Sequence, residues 1–370
     1  MHTRGVEPKL PRRARPLLFD ALPGLEANTP WRSLTHGPTG VERIDRTVSG
    51  LEGVEAWMKR DDLASPIYGG NKVRRYEFLL ASAEARGCRR LVTAGGVAST
   101  QAMATALFGR ALGFAVRMVL FDQPITRFAK QALLIDADAG AELIAGGNYL
   151  TTALRMVSAL VRDRKDGNFL ILPGAANPVA NLGYVDAMLE LAQQVEAGLL
   201  PRPDLIVLPT GSSGTLAALS LGAAWLGWDT EVVGVRITPW IATNRLTIGQ
   251  IVRATDRHLH ARDPARWRPQ ADRVRWSLEP RALGPGYGHP TAEARAAIDE
   301  VRALTGAPGE VTYSAKALVG LRLVAAEPRH RGKTILLWNT LSTMRPEPGP
   351  TARSKVPPSL QWVLDAPEVA

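Results

Sequence analysis

The sequence predicts an α/β protein whose parallel sheets are covered by helices on both faces. Two observations carry this. From Arg74 onward, short apolar runs bounded by turn residues alternate with longer helix-forming runs, the pattern of strands joined by crossover helices. Leu205–Leu208 is apolar without a break and ends at Pro209, as expected of a strand buried on both sides.

In chain order, residues 1–30 read as an irregular arm that packs across the fold or a neighbouring subunit. A hairpin-like stretch follows, with a strand over 54–59 entering a glycine loop. An amphipathic helix over 73–85 opens the alternation, which the pattern places at 74–86. Strand 90–94, helix 99–112, strand 115–121, helix 124–139 and strand 141–144 come next. Helices 149–165 and 178–197, strand 204–209, helix 215–227 and strand 231–236 complete the series. The stretch 90–145 has its own strand–helix alternation and suits a smaller domain inserted into a larger one. Residues 253–285 read as polar and irregular, and the Pro-rich tail 345–370 as a surface wrap.

A chain of 370 residues with 45% hydrophobic and 22% charged content suits two domains or one large α/β unit. No apolar run approaches the roughly 20 residues of a membrane span, and the basic N-terminal stretch lacks the apolar core of a secretory signal. The single cysteine, Cys88, forms no internal disulfide and reads as a small packed residue, so a reducing cytoplasm is expected. The net charge of +10 comes from scattered arginines without interleaved aromatics. That argues against nucleic acid and suits an anionic cofactor and substrate. His258 and His260 lack a nearby Cys or carboxylate cluster, so they read as a solvated loop and no metal is expected.

Three stretches carry candidate chemistry. Lys72 follows Gly69-Gly70-Asn71, in a chain with eight lysines among 45 basic residues. Where the sequence prefers Arg, a lysine at a tight turn suits a role for its amine, which forms Schiff bases with aldehydes. From this stretch alone, a surface lysine at a helix start fits equally well. In PTGSSGTLAAL (209–219) a buried strand meets Gly211, Ser212, Ser213, Gly214 and Thr215 and then a helix. Backbone N–H groups at such a helix start cradle a phosphate, although a plain strand-to-helix turn has the same layout. VTAGGVASTQAMATA (92–106) repeats the layout with Ser99 at the N-cap position. A second helix start suits the α-carboxylate of an amino acid, while Ser99 also reads as a helix cap and no more.

With GPGYGHPTAEARAAI (284–298) and VTYSAKALVGL (311–321), these stretches fall in an order that resembles the D-cysteine desulfhydrases and 1-aminocyclopropane-1-carboxylate (ACC) deaminases. These enzymes depend on pyridoxal 5'-phosphate (PLP). The resemblance implies the tryptophan-synthase-β-like fold (fold type II), with the cofactor between two domains each built on a mostly parallel sheet. It places the large PLP-binding domain at 1–85 and 175–370 and the small domain at 86–174. It implies that Lys72 carries PLP as a Schiff base and that Asn71 and Thr210–Thr215 bind the cofactor. Tyr313 would lie against the ring, and Ser314 would face the pyridine nitrogen. Ser99 would assist proton movement, Thr100 would stand where an Asn contacts the ring hydroxyl, and Gln101 would match the deaminases. Tyr287 would face the substrate as a proton donor. The substrate-binding set is thus Ser99, Thr100, Gln101 and Tyr287, and a homodimer is the family expectation. A hydroxyl at 314, against the deaminases' Glu, leans the chemistry toward α,β-elimination on a small β-substituted amino acid. ACC ring opening is the alternative, and a non-catalytic PLP-binding protein is a third. Two departures stand out: Ser213 replaces a glycine, and LWNTLS (337–342) replaces a His-Thr-Gly-Gly pattern.

Overall fold

The computed structural model describes residues 15–45, 48–163, 167–344 and 346–369. The strands are β1 (Val41–Arg43), β2 (Glu55–Lys59), β3 (Arg90–Gly96), β4 (Ala115–Phe121), β5 (Glu142–Gly147), β6 (Asn168–Ile171), β7 (Leu205–Thr210), β8 (Glu231–Arg236), β9 (Trp276–Glu279) and β10 (Thr334–Trp338). They build two sheets, ordered β1-β2-β10-β7-β8-β9 and β5-β4-β3-β6. Only the β1–β2 pair is antiparallel among the described strands. β10 sits between β2 and β7, with Ile335 opposite both Ala56 and Leu205. Helices cover both sheets, as the alternation requires.

Local chemistry sets the helix starts. Ser99, Thr126, Asn148 and Asn177 each accept a first-turn backbone N–H through the side chain, satisfying a group the helix leaves unpaired. The helix Asn71–Ala85 is not amphipathic. Every residue from Lys72 to Ala83 is buried, because its charged side has partners inside the protein rather than water.

Several expectations need correction. β6, β9 and β10 were not foreseen: β6 and β9 have four residues each and β10 five, too short for a period to register. Helix 149–165 is shorter, ending at Val161, and β6 then pairs with β3. The polar stretch after 253 continues a helix, Arg245–Arg262, started by an Asn244–Thr247 capping box. It buries Ile248, Val252, Thr255 and Leu259, a helical spacing hidden among charges. His258 and His260 therefore stand on a helix. His260 Nδ1 bonds the Trp267 carbonyl at 2.9 Å, and burial beside Arg262 lowers His258 to about 4.

The described part of the N-terminal arm is helical at Leu17–Ala21 and Pro23–Glu26, and its Leu18, Leu22 and Leu25 are fully buried; residues 1–14 lie outside the described set. The tail forms helices Ala352–Lys355 and Pro358–Asp365. Its Val356, Leu360, Val363 and Leu364 join the same apolar core as Leu91, Met118 and Leu133, so it is core and not a wrap. None of the described helices is long and apolar enough to cross a membrane.

Candidate active site

The loop before Lys72 is held on two sides. Gly70 has φ +82°, and a Cβ there would lie 2.5 Å from the Thr340 carbonyl oxygen, so only glycine fits. Gly70 N donates to Asp61 O (2.7 Å) and Asn71 N to Thr340 O (3.0 Å). Gly69 N donates to Ser342 Oγ at 2.8 Å. The 337–342 stretch that departs from the family pattern thus supports the lysine loop. Lys72 Nζ lies 2.6 Å from Asn71 Oδ1. Burial, with the Arg75 charge nearby, pulls its amine down to about 7, so near neutrality much of it is free base.

Beneath the loop lies a fully paired ion network. Asp61 accepts hydrogen bonds from Arg74 Nη2 (2.9 Å), Thr39 Oγ1 (2.8 Å), Tyr184 Oη (2.7 Å) and Trp338 Nε1 (2.7 Å). Arg74 also reaches Glu190 at 2.9 Å, and Lys59 Nζ reaches Glu190 at 2.5 Å. Burial opposes charge on Asp61, but Arg74 and Lys59 outweigh it and keep its carboxyl below the usual range.

The 210–215 turn has the opposite character. Ser213 is in the left-handed region at φ +63°, with its Oγ buried and without a partner. A Cβ on Gly214 would lie 2.6 Å from Arg75 Nη2, so the missing side chain makes room for the guanidinium. Arg75 donates to Thr215 Oγ1 (2.9 Å) and Gly174 O (2.7 Å), while its Nε is buried without a partner. Asn71 Nδ2 also points at Thr215 Oγ1, at 3.3 Å. Among the described residues no carboxylate hydrogen-bonds this guanidinium, and burial lowers it to about 10. An unpaired buried cation, an orphan hydroxyl and a helix start converge there, which fits a phosphate. Arg75 was missed in the sequence; the available signal was a second arginine after the lysine, in a stretch with no solvent face. Thr210 turns its hydroxyl back to Leu208 O at 3.3 Å, and Ser212 Oγ lies 3.3 Å from Gly174 O.

The second helix start supplies the other side. Ser99 Oγ accepts from Ala102 N at 3.2 Å, the helix-cap reading, and its hydroxyl proton stays available to a second acceptor. Gln101 is committed to the frame: its Nε2 donates to Thr93 Oγ1 (2.7 Å) and its Oε1 accepts from Gly174 N (3.0 Å). Thr100 stands beside the Tyr313 phenol, which lies 2.7 Å from the Tyr287 hydroxyl with the rings nearly perpendicular. Burial raises Tyr313 to about 12 and Tyr287 well above the usual phenol value. Ser314 Oγ donates to Glu310 O (3.1 Å) and accepts from Glu310 N (3.0 Å). The Glu310 carboxylate accepts the N–H groups of Thr312, Tyr313 and Ser314. The expected residues Lys72, Asn71, Thr215 and Gln101 are thus linked through Arg75 and Gly174, which were not expected, while Tyr313 and Tyr287 form a separate pair beside Thr100.

Residues 32–340 match the family described as pyridoxal-phosphate dependent enzyme. The chain belongs to that family. A putative 1-aminocyclopropane-1-carboxylate deaminase of Pyrococcus abyssi is 31% identical, over 82% of this chain and 88% of its own. The D-cysteine desulfhydrase of Klebsiella pneumoniae is 30% identical over 79% and 87%. A crystal structure of an ACC deaminase homologue superposes with a TM-score of 0.73 at 26% identity, covering 88% of this chain and 95% of that one. The fold is therefore PLP fold type II, the cofactor is PLP, and the protein is a PLP-dependent enzyme. The corner at Arg75, Ser213 and Gly214, with its unpartnered donors, and the lysine amine held near neutral pKa fit that cofactor.

Proposed function

We propose that the protein is a lyase catalysing α,β-elimination on a small β-substituted amino acid, with D-cysteine as the representative substrate. The observation that carries this reading is the neutral hydroxyl of Ser314 at the helix start expected to face the pyridine nitrogen. The nearby carboxylate, Glu310, is taken up by three backbone N–H groups. PLP, when bound, supplies the sink for the electrons left at the α-carbon. With no carboxylate free to hold the ring protonated, that sink is weak, and it suits a reaction whose β-group departs promptly.

The chain's own groups divide the work. Lys72 Nζ holds the cofactor and serves as the base for the α-proton, a role suited to an amine near 7. Arg75, Ser213 and the helix start at Gly214 hold the phosphate. The helix start at Ser99 and Thr100 holds the substrate carboxylate, while Gln101 positions that turn against Gly174. Tyr287, paired with Tyr313, delivers a proton to the leaving sulfur. For D-cysteine and one water the products are pyruvate, hydrogen sulfide and ammonia.

We further take 86–174 as the small domain, with the tail helices packed onto its core, the rest of the chain as the large one, and the protein as a cytoplasmic homodimer. The helix Tyr149–Val161 supports dimer formation: Leu150, Leu154, Val157 and Val161 are exposed along one of its faces, an apolar stripe suited to burial. A screen of D- and L-amino acids with β-leaving groups, together with ACC, tests the reaction by keto-acid release. Pyruvate and sulfide from D-cysteine support elimination. Turnover of ACC alone would move the assignment to ring-opening deamination, and cofactor binding without turnover would remove the enzyme assignment.

A further inference from the structure

Lys316 has no place in the chemistry above, yet its side chain has no solvent exposure. Its ammonium donates to Leu283 O at 2.6 Å and to Gly286 O at 3.2 Å. A buried ammonium among backbone carbonyls is uncommon, because lysine is almost never fully buried without a paired charge. Burial draws its pKa down, and Glu310 partly opposes this.

The two acceptors belong to the loop that carries Tyr287. Gly284, Gly286 and Gly288 all have positive φ, so a free loop of this composition would be poorly ordered. Lys316 lies three residues after Tyr313, the residue preceding helix Ser314–Ala325. One turn of that helix therefore grips the loop twice, through Lys316 at its backbone and through Tyr313 at the Tyr287 hydroxyl. On the far side, a Cβ on Gly288 would lie 3.3 Å from Gln123 Nε2. Gln123 Oε1 in turn accepts from Ala98 N at 3.1 Å, in the turn leading to Ser99. The loop thus bridges the helix starts at Ser314 and Ser99.

We propose that Lys316 is a positioning residue that fixes the 283–288 backbone and so places the Tyr287 hydroxyl against Tyr313. Methionine would fill the same volume without donors, which separates positioning from packing. The kinetic part of the test rests on the elimination reading; the exchange and titration parts do not.

In K316M, hydrogen exchange across 283–288 should rise at least about tenfold, as two charge-assisted hydrogen bonds are lost. The core of helix 314–325 should stay protected. One phenol of the pair should titrate closer to the free value of about 10. Capture of PLP at Lys72 should be unchanged. With D-cysteine, kcat should fall while KM holds, and K316M/Y287F should be no slower than Y287F. K316R, which keeps the charge and the donors, should restore slow exchange. Should K316M not fold, K316L, which also lacks donors, compared with K316R gives the same contrast. Unchanged exchange in a folded K316M or K316L overturns the proposal, as do additive losses in the double variant. Loosened exchange in K316M, together with no turnover of D-cysteine by the unsubstituted protein, would leave the proposal standing and defeat the elimination reading instead.

Discussion

Arg74 and Arg75 are neighbours on one helical turn, and both are buried, but their surroundings are opposite. Arg74 has two carboxylates, Asp61 and Glu190, each at 2.9 Å. Arg75 has a hydroxyl and a carbonyl, and an Nε with no partner. The first region is closed in the protein alone and carries the lysine loop. The second leaves a cation without its counter-charge where the cofactor's anion is expected. A buried ion pair needs all its members, whereas an unpaired buried cation is a cost accepted for a ligand.

The largest effect should come from breaking the closed region. R74M leaves Asp61 and Glu190 short of a cation, and should cost about 3–5 kcal/mol of stability, read by denaturant unfolding of the apoprotein. The same substitution one residue later should act on binding instead. R75M should leave apoprotein stability unchanged or higher, and should weaken PLP by about 10–150-fold, the equivalent of about 1.5–3 kcal/mol for a charge-assisted hydrogen bond. Equal losses of apoprotein stability in the two variants would erase the distinction.

Smaller effects sharpen it. S213G relieves a left-handed residue at φ +63° and should raise apoprotein stability by about 1 kcal/mol. It also removes an orphan hydroxyl, so PLP should bind about fivefold more weakly, the equivalent of about 1 kcal/mol. The pH dependence of cofactor capture follows from Lys72. Its folded pKa is lowered to about 7, so below that pH the amine is protonated and cannot attack an aldehyde. The stopped-flow rate of PLP capture should rise with pH and level off above 7. A rise continuing toward the ordinary lysine value near 10.4 would show that the amine is not buried as described.

Apart from β6, the alternation of strands and helices from 90 to 236 was legible because its elements are long enough for their pattern to register. β6, β9 and β10 were not, and β10 is central to the large sheet. Its four apolar residues, Ile335–Trp338, look alike in a strand or a buried helix until their neighbours are known. In the site, the glycine turns at 69–70 and 211–214 announced themselves because close approach needs glycine. Arg75, Glu310 and Lys316 gave no such sign. Their roles depend on Gly174, on three N–H groups at 312–314 and on the 283–286 carbonyls, partners that only the fold brings near. Gln101 shows the reverse: the resemblance to the deaminases suggested substrate, while its amide joins β3 to the Gly174 turn.

The central claim is that the Lys72 amine condenses with the cofactor. The direct measurement is borohydride reduction of the purified protein with PLP, followed by proteolysis and mass analysis. The account expects one pyridoxyl-modified peptide, carrying the label on Lys72 and absent from K72A. An unlabelled protein, or a label on Lys59 or Lys316 in its place, would contradict it.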